Sequence, residues 1–330
     1  MRLVQLTHAQ EGRRVAVVEE PSLRLLSCDS VYALAQRALL AGIRLTDEAA
    51  RSLTSSTLAY DEVYEGRSPW KLLPPFDHPS EAARCLITGT GLTHLASAAN
   101  RQAMHAAGAA PTDSMRMYQW GLEGGRPQPG EIGVAPEWFY KGLGPVLRAH
   151  GEPLTVTAFS GDGGDEGEVA GLYLIDNSGA PRRVGMAQGN EFSDHVTEKK
   201  NYLYLAPSKL RCCSLGPELV VDPDFGAVPG IVRIWRGASL VWSKEIATGD
   251  ARMSHTLGNL EHHHFKFPEH RRPGDAHIHF FGADAFSFGE KIHLEAGDVM
   301  EVAFEGFGRP LKNPLAVEAG AAALVTVAPV

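Results

Sequence analysis

Glu166-Gly-Glu168-Val-Ala-Gly-Leu-Tyr-Leu-Ile175 is the stretch on which the reading of this chain turns. Its apolar run reads as a strand. Residues i and i+2 of a strand point to the same face, so Glu166 and Glu168 can converge on one point. A third carboxylate, Glu191, follows in Gly189-Asn-Glu-Phe-Ser-Asp-His195. Like charges held that close repel, and a buried pair protonates unless something positive sits between them. Carboxylate oxygens are the ligands that hard divalent cations prefer. The pattern predicts a metal-dependent enzyme with Mg2+ held by Glu166, Glu168 and Glu191, Mn2+ or Ca2+ being substitutes.

Around this stretch the chain has 330 residues, enough for a catalytic domain with a smaller companion. We expect a small N-terminal domain over 1–75 and a catalytic domain over 76–330. The formal net charge of −8 offers no sustained basic stripe to phosphates, which argues against a nucleic-acid binder. Cys28, Cys85, Cys212 and Cys213 form no Cys-x-x-Cys pair, so reduced thiols are expected. The first ten residues are too polar for a signal peptide, and no apolar run reaches the ~18 residues of a membrane span. The expectation is a cytoplasmic protein without a membrane partner.

Alternation predicts strands at Arg2 to Leu6 and Arg14 to Glu19 around a Gln-Glu-Gly-Arg turn. Helical spacing predicts helices over Val31 to Ile43, Asp47 to Leu58 and Leu92 to Ala107. The segment 66–80, with four prolines, reads as a linker or domain boundary. Polar, glycine-rich connections are expected at 121–135 and 160–165. Further strands are expected at 154–159, 168–175, 183–187, 218–221, 231–236, 239–242, 277–281 and 298–304. Many strands with few helices between them argue for a β-rich α+β fold rather than a doubly wound one.

The order of these landmarks resembles the fumarylacetoacetate hydrolase family, from about Cys85 to Pro314. Glu166-Gly-Glu168 and Asn190-Glu191-Phe-Ser193-Asp-His195 resemble its Glu-x-Glu strand and its Asn-Asp-x-Ser-x-Arg segment. Glu191 stands where the family usually has aspartate. Lys209, ahead of Gly216-Pro217, fits the family's lysine before a Gly-Pro stretch. Pro136-Glu-Trp-Phe-Tyr-Lys141 resembles the segment that borders its pocket. Gly297-Asp298 through Gly308, then Asn313-Pro314, resembles its closing strand. Each piece alone is weak, and it is their order that carries the resemblance. It implies an α+β fold with a mixed, distorted β-roll-like C-terminal domain and a small N-terminal α/β domain, usually in a homodimer.

Departures from that pattern point to the chemistry. Hydrolytic members carry a His and a Glu in a short helix, a pair that activates water for C–C cleavage. Ser97 and Asn100 stand there in this chain, and neither is a good general base at neutral pH. Where hydrolases often show a Gly-Thr-Pro turn, this chain has His277-Ile-His279-Phe-Phe-Gly282. A metal with open positions suits a 2-keto acid, whose carboxylate and keto oxygens chelate one ion. Polarising the keto oxygen acidifies C3 and stabilises the enolate, which can expel a C4 hydroxyl as water.

The expected activity is a metal-dependent dehydratase of a 2-keto-3-deoxy pentonate, yielding α-ketoglutaric semialdehyde. The alternative is a C–C hydrolase of a 2,4-diketo acid. Lys209 is the candidate base, with a pKa lowered by burial and the nearby cation. Lys141 and His94 are candidates for shuttling a proton to the departing hydroxyl. Ser97, Asn190, Ser193 and Gly282 are candidate substrate contacts.

Other readings fit less well. His262-His-His264, His270 and His277-x-His279 suggest a transition-metal site, but cupin spacing would require a Glu where Ala283 and Asp284 stand. Consecutive histidines are expected in an exposed loop. The loop around Asp162 and Asp165 lacks the twelve-residue EF-hand pattern. Ser160 and Ser193 lack the glycines of a nucleophile elbow. A purely structural metal in a binding or assembly module is the remaining alternative, and a lysine beside three carboxylates argues against it.

Overall fold

Gly167–Ile175 is buried along its whole length and lies between the antiparallel strands Pro181–Asn190 and Ala276–Phe280. This arrangement is seen in a computed structural model that describes residues 1–105 and 112–330. Alternate side chains of the strand feed two cores. Ala170, Leu172 and Leu174 join Ile87, Ile278 and Phe280 on one face, while Val169 joins Val232, Ile234, Met300 and Val302 on the other. Burial on both faces explains the unbroken apolar run, and each buried Leu contributes about 1.5–3 kcal/mol.

The larger sheet continues from Ala276–Phe280 through Cys85–Gly91, in parallel, to Glu137–Leu143. In the other direction it passes through Leu219–Val220 to Arg2–His8, Gly12–Glu19, Ser22–Leu26 and Leu53–Ala59. The first strands of the chain are therefore part of the same sheet as Gly167–Ile175. A smaller sheet contains Ser239–Thr248, Val228–Arg236, Val299–Phe304, Leu311–Val317 and Leu154–Val156. It packs over the Val169 face through the second core. This mixed α+β architecture is the fold class expected.

Curvature of the larger sheet positions the site. Glu137–Leu143 lies four strands from Pro181–Asn190, which in a flat sheet would be about 19 Å. Yet Lys141 Nζ lies 2.6 Å from Glu191 Oε1. The sheet curls until its Glu137–Leu143 edge comes back against the end of Pro181–Asn190, and a short parallel pairing of Leu147–Arg148 with Cys213–Leu215 joins the two sides. Helix Val31–Ala41 packs Val31, Leu34 and Ala35 into the enclosed core. Ser30 caps it by accepting from Ala33 N–H, and Gly42 ends it at φ 64°.

Several local expectations are corrected. Asp47 to Leu58 is not one helix: Leu45–Arg51 is helical and Leu53–Ala59 is an edge strand paired with Ser22–Leu26. Its Thr-Ser-Ser-Thr centre favours extended backbone over helix. The helix expected over Leu92 to Ala107 runs Leu95–His105, and Ala107 lies outside the described residues. The connection expected from 121 begins inside helix Asp113–Gly124, capped by Thr112. There Gly121 permits close packing, since a Cβ would meet Ser254 Oγ at 2.7 Å. His262 to His264 lie on helix Leu257–Phe265 rather than in an exposed loop, with His263 and His264 buried. Among the described residues no helix is long and apolar enough to cross a membrane.

Candidate active site

The ladder between Gly167–Ile175 and Pro181–Asn190 extends one residue further, where Glu191 N–H donates to Glu166 O at 2.9 Å. Cross-strand partners share a face, so this register puts Glu191 beside Glu166, with Glu168 two residues along on the same side. All three are buried, and ligand oxygens from each lie within 4.8 Å of one another. Asn190 fixes the bend. Its Oδ1 accepts from Glu166 N–H at 3.0 Å and Phe192 N–H at 3.1 Å, and its Nδ2 donates to Met300 Sδ at 3.5 Å.

Two lysines reach the trio from opposite sides. Lys209, ending helix Leu205–Lys209, donates to both Glu166 oxygens at 2.8 Å, to Glu191 Oε2 at 2.5 Å and to Ser193 Oγ at 2.9 Å. Its Nζ also stands 4.7 Å over the Phe139 ring. Lys141 approaches Glu191 Oε1 at 2.6 Å, a charge contact, and donates to Phe192 O. His195 Nε2 lies 2.8 Å from Glu166 Oε1, its ring stacked on Phe286 at 4.7 Å and Phe288 at 5.1 Å. Glu168 accepts from Gly282 N–H at 2.7 Å and, among the described residues, has no cationic partner.

Charge follows this geometry. Burial disfavours ionisation of Glu166, but Lys209 and His195 outweigh it and hold its carboxyl well below the usual range. Burial, then the charges of Glu191 and Glu166, push Glu168 well above it. Burial also raises Glu191, against the pull of Lys141 and Lys209. For Lys209, burial favours the free amine, but Glu166 and Glu191 together exceed it and raise the pKa. The lowering expected for Lys209 is thus absent while the carboxylates act on it alone. The all-oxygen donor set, with one buried acid uncompensated, fits a hard divalent cation.

No protein-family model and no curated protein matches the sequence. Solved structures do match in fold. A structure of 2-keto-3-deoxy-D-arabinonate dehydratase complexed with magnesium and 2,5-dioxopentanoate superposes with a TM-score of 0.71 at 17% identity, covering 97% of this chain and 100% of that one. Its apo form gives 0.71 at 18%, with the same coverage. The 5-carboxymethyl-2-hydroxymuconate delta-isomerase from Mycobacterium smegmatis gives 0.59 at 15%, again covering 97% and 100%. This chain has the fumarylacetoacetate hydrolase fold. The similar proteins are enzymes, a dehydratase and isomerases, and share the fumarylacetoacetate hydrolase fold across the whole of their own chains.

Within that fold the structure brings Glu166, Glu168, Glu191, Lys209, Lys141 and Ser193 together. Gly282 adjoins them at φ 102°, where a Cβ would meet Thr93 Oγ1 at 2.1 Å, so glycine is required. Asn190 spends its side chain on backbone and Met300, leaving the substrate-contact role without a free polar atom. Ser97 is buried on helix Leu95–His105.

His94 is buried beside Thr93, whose hydroxyl donates to Phe281 O at 2.8 Å and therefore accepts from His94 Nδ1 at 2.9 Å. Nε2 is then unprotonated and, among the described residues, without a hydrogen-bond partner, and burial lowers the pKa to about 4. In this state the one ring proton of His94 is engaged with Thr93 Oγ1. Sequence reasoning missed Arg101, Glu137, Glu198 and any role for His195. The one available signal was the pair Glu137 and Lys141, four residues apart and so on one face of a strand, flanking the aromatic run 138–140.

Proposed function

We propose that this protein is a divalent-metal-dependent hydro-lyase that dehydrates a 2-keto-3-deoxy sugar acid, a pentonate, to α-ketoglutaric semialdehyde. The observation that carries the reading is the buried trio Glu166, Glu168 and Glu191 with Lys209 Nζ against two of its members. The greater fold likeness to a dehydratase complexed with magnesium and 2,5-dioxopentanoate than to the isomerases supports it.

Magnesium would be held by Glu166, Glu168 and Glu191. When bound, the ion would lend Lewis acidity to the keto oxygen and offset the hold of Glu166 and Glu191 on the Lys209 proton. In this reading Lys209 takes the C3 proton, and Ser193 Oγ, accepting from Nζ at 2.9 Å, orients it. The C4–O bond breaks, and a proton returned to the departing hydroxide completes a water molecule. The unsaturated keto acid left behind becomes the semialdehyde by proton transfers alone. Lys141, locked on Glu191 and Phe192 O, serves as fixed positive charge rather than as a shuttle.

Carbon–carbon hydrolysis needs an activated water. Ser97 and Asn100, where the resemblance places the activating pair, carry no ionisable group. Product analysis tests the proposal. Incubation of a keto-deoxypentonate with Mg2+ and the protein should yield the semialdehyde. Pyruvate released from a 2,4-diketo acid, with the keto-deoxypentonate untouched, would overturn the dehydratase reading.

A further inference from the structure

Resting on that reading, we propose that Glu198 sets substrate specificity: it accepts hydrogen bonds from hydroxyls at the distal end of the keto acid and rejects a second carboxylate there.

Helix His195–Lys200, capped by Asp194, places His195 and Glu198 one turn apart on the same face. His195 touches Glu166. Glu198 is fully buried, and its charge acts on both His195 and Lys209, the two groups that hold Glu166. One turn from His195, which touches Glu166, Glu198 stands beside the metal-ligand cluster without being part of it.

Its own partner is incomplete. Arg101 Nε comes within 2.6 Å of Glu198 Oε1, but without hydrogen-bond alignment, and among the described residues neither carboxylate oxygen of Glu198 receives a hydrogen bond. Arg101 spends Nη1 on Glu137, at 3.0 and 3.1 Å from its two oxygens. Glu137 accepts as well from Tyr202 OH at 2.5 Å. One guanidinium thus serves two buried carboxylates, and the better-aligned bonds go to Glu137.

Two consequences follow. Buried acceptors without donors are costly, so Glu198 gains from any ligand that brings hydroxyl protons. The cluster has one more carboxylate than guanidinium, so a ligand bringing a further carboxylate meets repulsion in a site of low dielectric. Hydroxylated monocarboxylic keto acids satisfy both conditions, and keto dicarboxylates neither.

The test is calorimetry on the full chain with Mg2+, using probes that cannot lose water at C4. Pyruvate reports the keto-acid site alone, 5-hydroxy-2-oxopentanoate carries a distal hydroxyl, and 2-oxoglutarate carries a carboxylate at the same position. The unaltered protein should bind the hydroxy acid about tenfold or more tighter than 2-oxoglutarate. In Glu198→Gln that ratio should collapse towards unity, and Glu198→Asp should restore part of it. Because the ratio is taken within one protein, a general loss of folded material does not move it. Equal or tighter binding of 2-oxoglutarate by the unaltered protein overturns the inference even if neither variant folds, as does an unchanged ratio in Glu198→Gln. If pyruvate itself fails to bind with Mg2+, the keto-acid reading fails first and takes this inference with it.

Discussion

The ammonium of Lys209 lies 2.8 Å from each carboxylate oxygen of Glu166. It also reaches Glu191, so one side chain compensates two of the three acids while Glu168 is left to repel them. That imbalance makes the trio a receptor for positive charge and yields the first two predictions.

Replacing Lys209 by Met strands Glu166 and Glu191 with much of their compensation gone. The expected cost is about 3–5 kcal/mol in the presence of a chelator, as for other broken buried pairs. Mg2+ should recover part of it, because the ion supplies the lost positive charge, while dehydratase turnover stays abolished. Urea unfolding with and without Mg2+ reads both effects. A neutral effect on stability in chelator would mean that the ion pairs are not formed.

Glu168→Gln removes the acid that burial and its neighbours most disfavour. Its melting temperature in chelator should equal or exceed that of the unaltered protein. The stabilisation by Mg2+, about 2.7 kcal/mol at a hundredfold excess over Kd for a single site, should vanish together with turnover. A thermal-shift titration that kept the full Mg2+ response would remove Glu168 from the ligand set.

Acid should destabilise the fold through its buried histidines. His264, His277 and His279 pack together, His264 Nε2 lying 3.0 Å from His277 Nδ1 and its ring stacked 4.4 Å from His279. Burial first, and neighbouring histidines second, lower His277 and His279 to about 3, from the ordinary value of 6.5, and His264 well below that value. The unfolded chain then binds more protons than the folded one below pH 6.5. Stability is complete above that pH and falls as pH drops toward the folded values, by about 1.4 kcal/mol per pH unit for each histidine. Chemical unfolding between about pH 7 and pH 5 should show this slope, and His279→Gln should reduce it by roughly one proton. An unchanged slope would mean that His279 is protonated in the fold.

Tyr60 joins the N-terminal strands to the rest without touching the site. Its hydroxyl donates to Glu218 Oε1 at 2.9 Å, and Glu218 also accepts from Arg2 Nη1 and from Arg309 N–H. Tyr60→Phe should cost about 1.5–3 kcal/mol, the worth of a hydrogen bond to a charged group. Its kcat should be unaltered. A selective fall in kcat at unchanged stability would give the N-terminal segment a catalytic part that the geometry does not suggest.

How much was legible in advance follows from where the information lies. The strand at Gly167–Ile175 was readable because a strand buried on both faces needs an unbroken apolar run. Glu137–Leu143 was not, because its pattern is inverted. Glu137, Phe139 and Lys141 are buried, while Trp138 and Tyr140 are exposed. A segment that buries its charges looks like a loop until their partners are known. The triple histidine misled for the same reason: His264, on a helix, is fully buried because Trp138, Thr88 and His277 supply its contacts from three strands.

The sequence by itself determined that Glu166 and Glu168 share a face, because side-chain direction alternates along any extended backbone. That Glu191 stands beside Glu166 came from the antiparallel register of Gly167–Ile175 with Pro181–Asn190, which local spacing does not record. Only the tertiary structure decided that Lys141 meets Glu191, that Arg101 divides itself between Glu137 and Glu198, and that His195 braces Glu166. Those contacts join distant segments through the curl of the sheet and the helices laid across its end. Curvature is summed over many strands, and no local spacing records it.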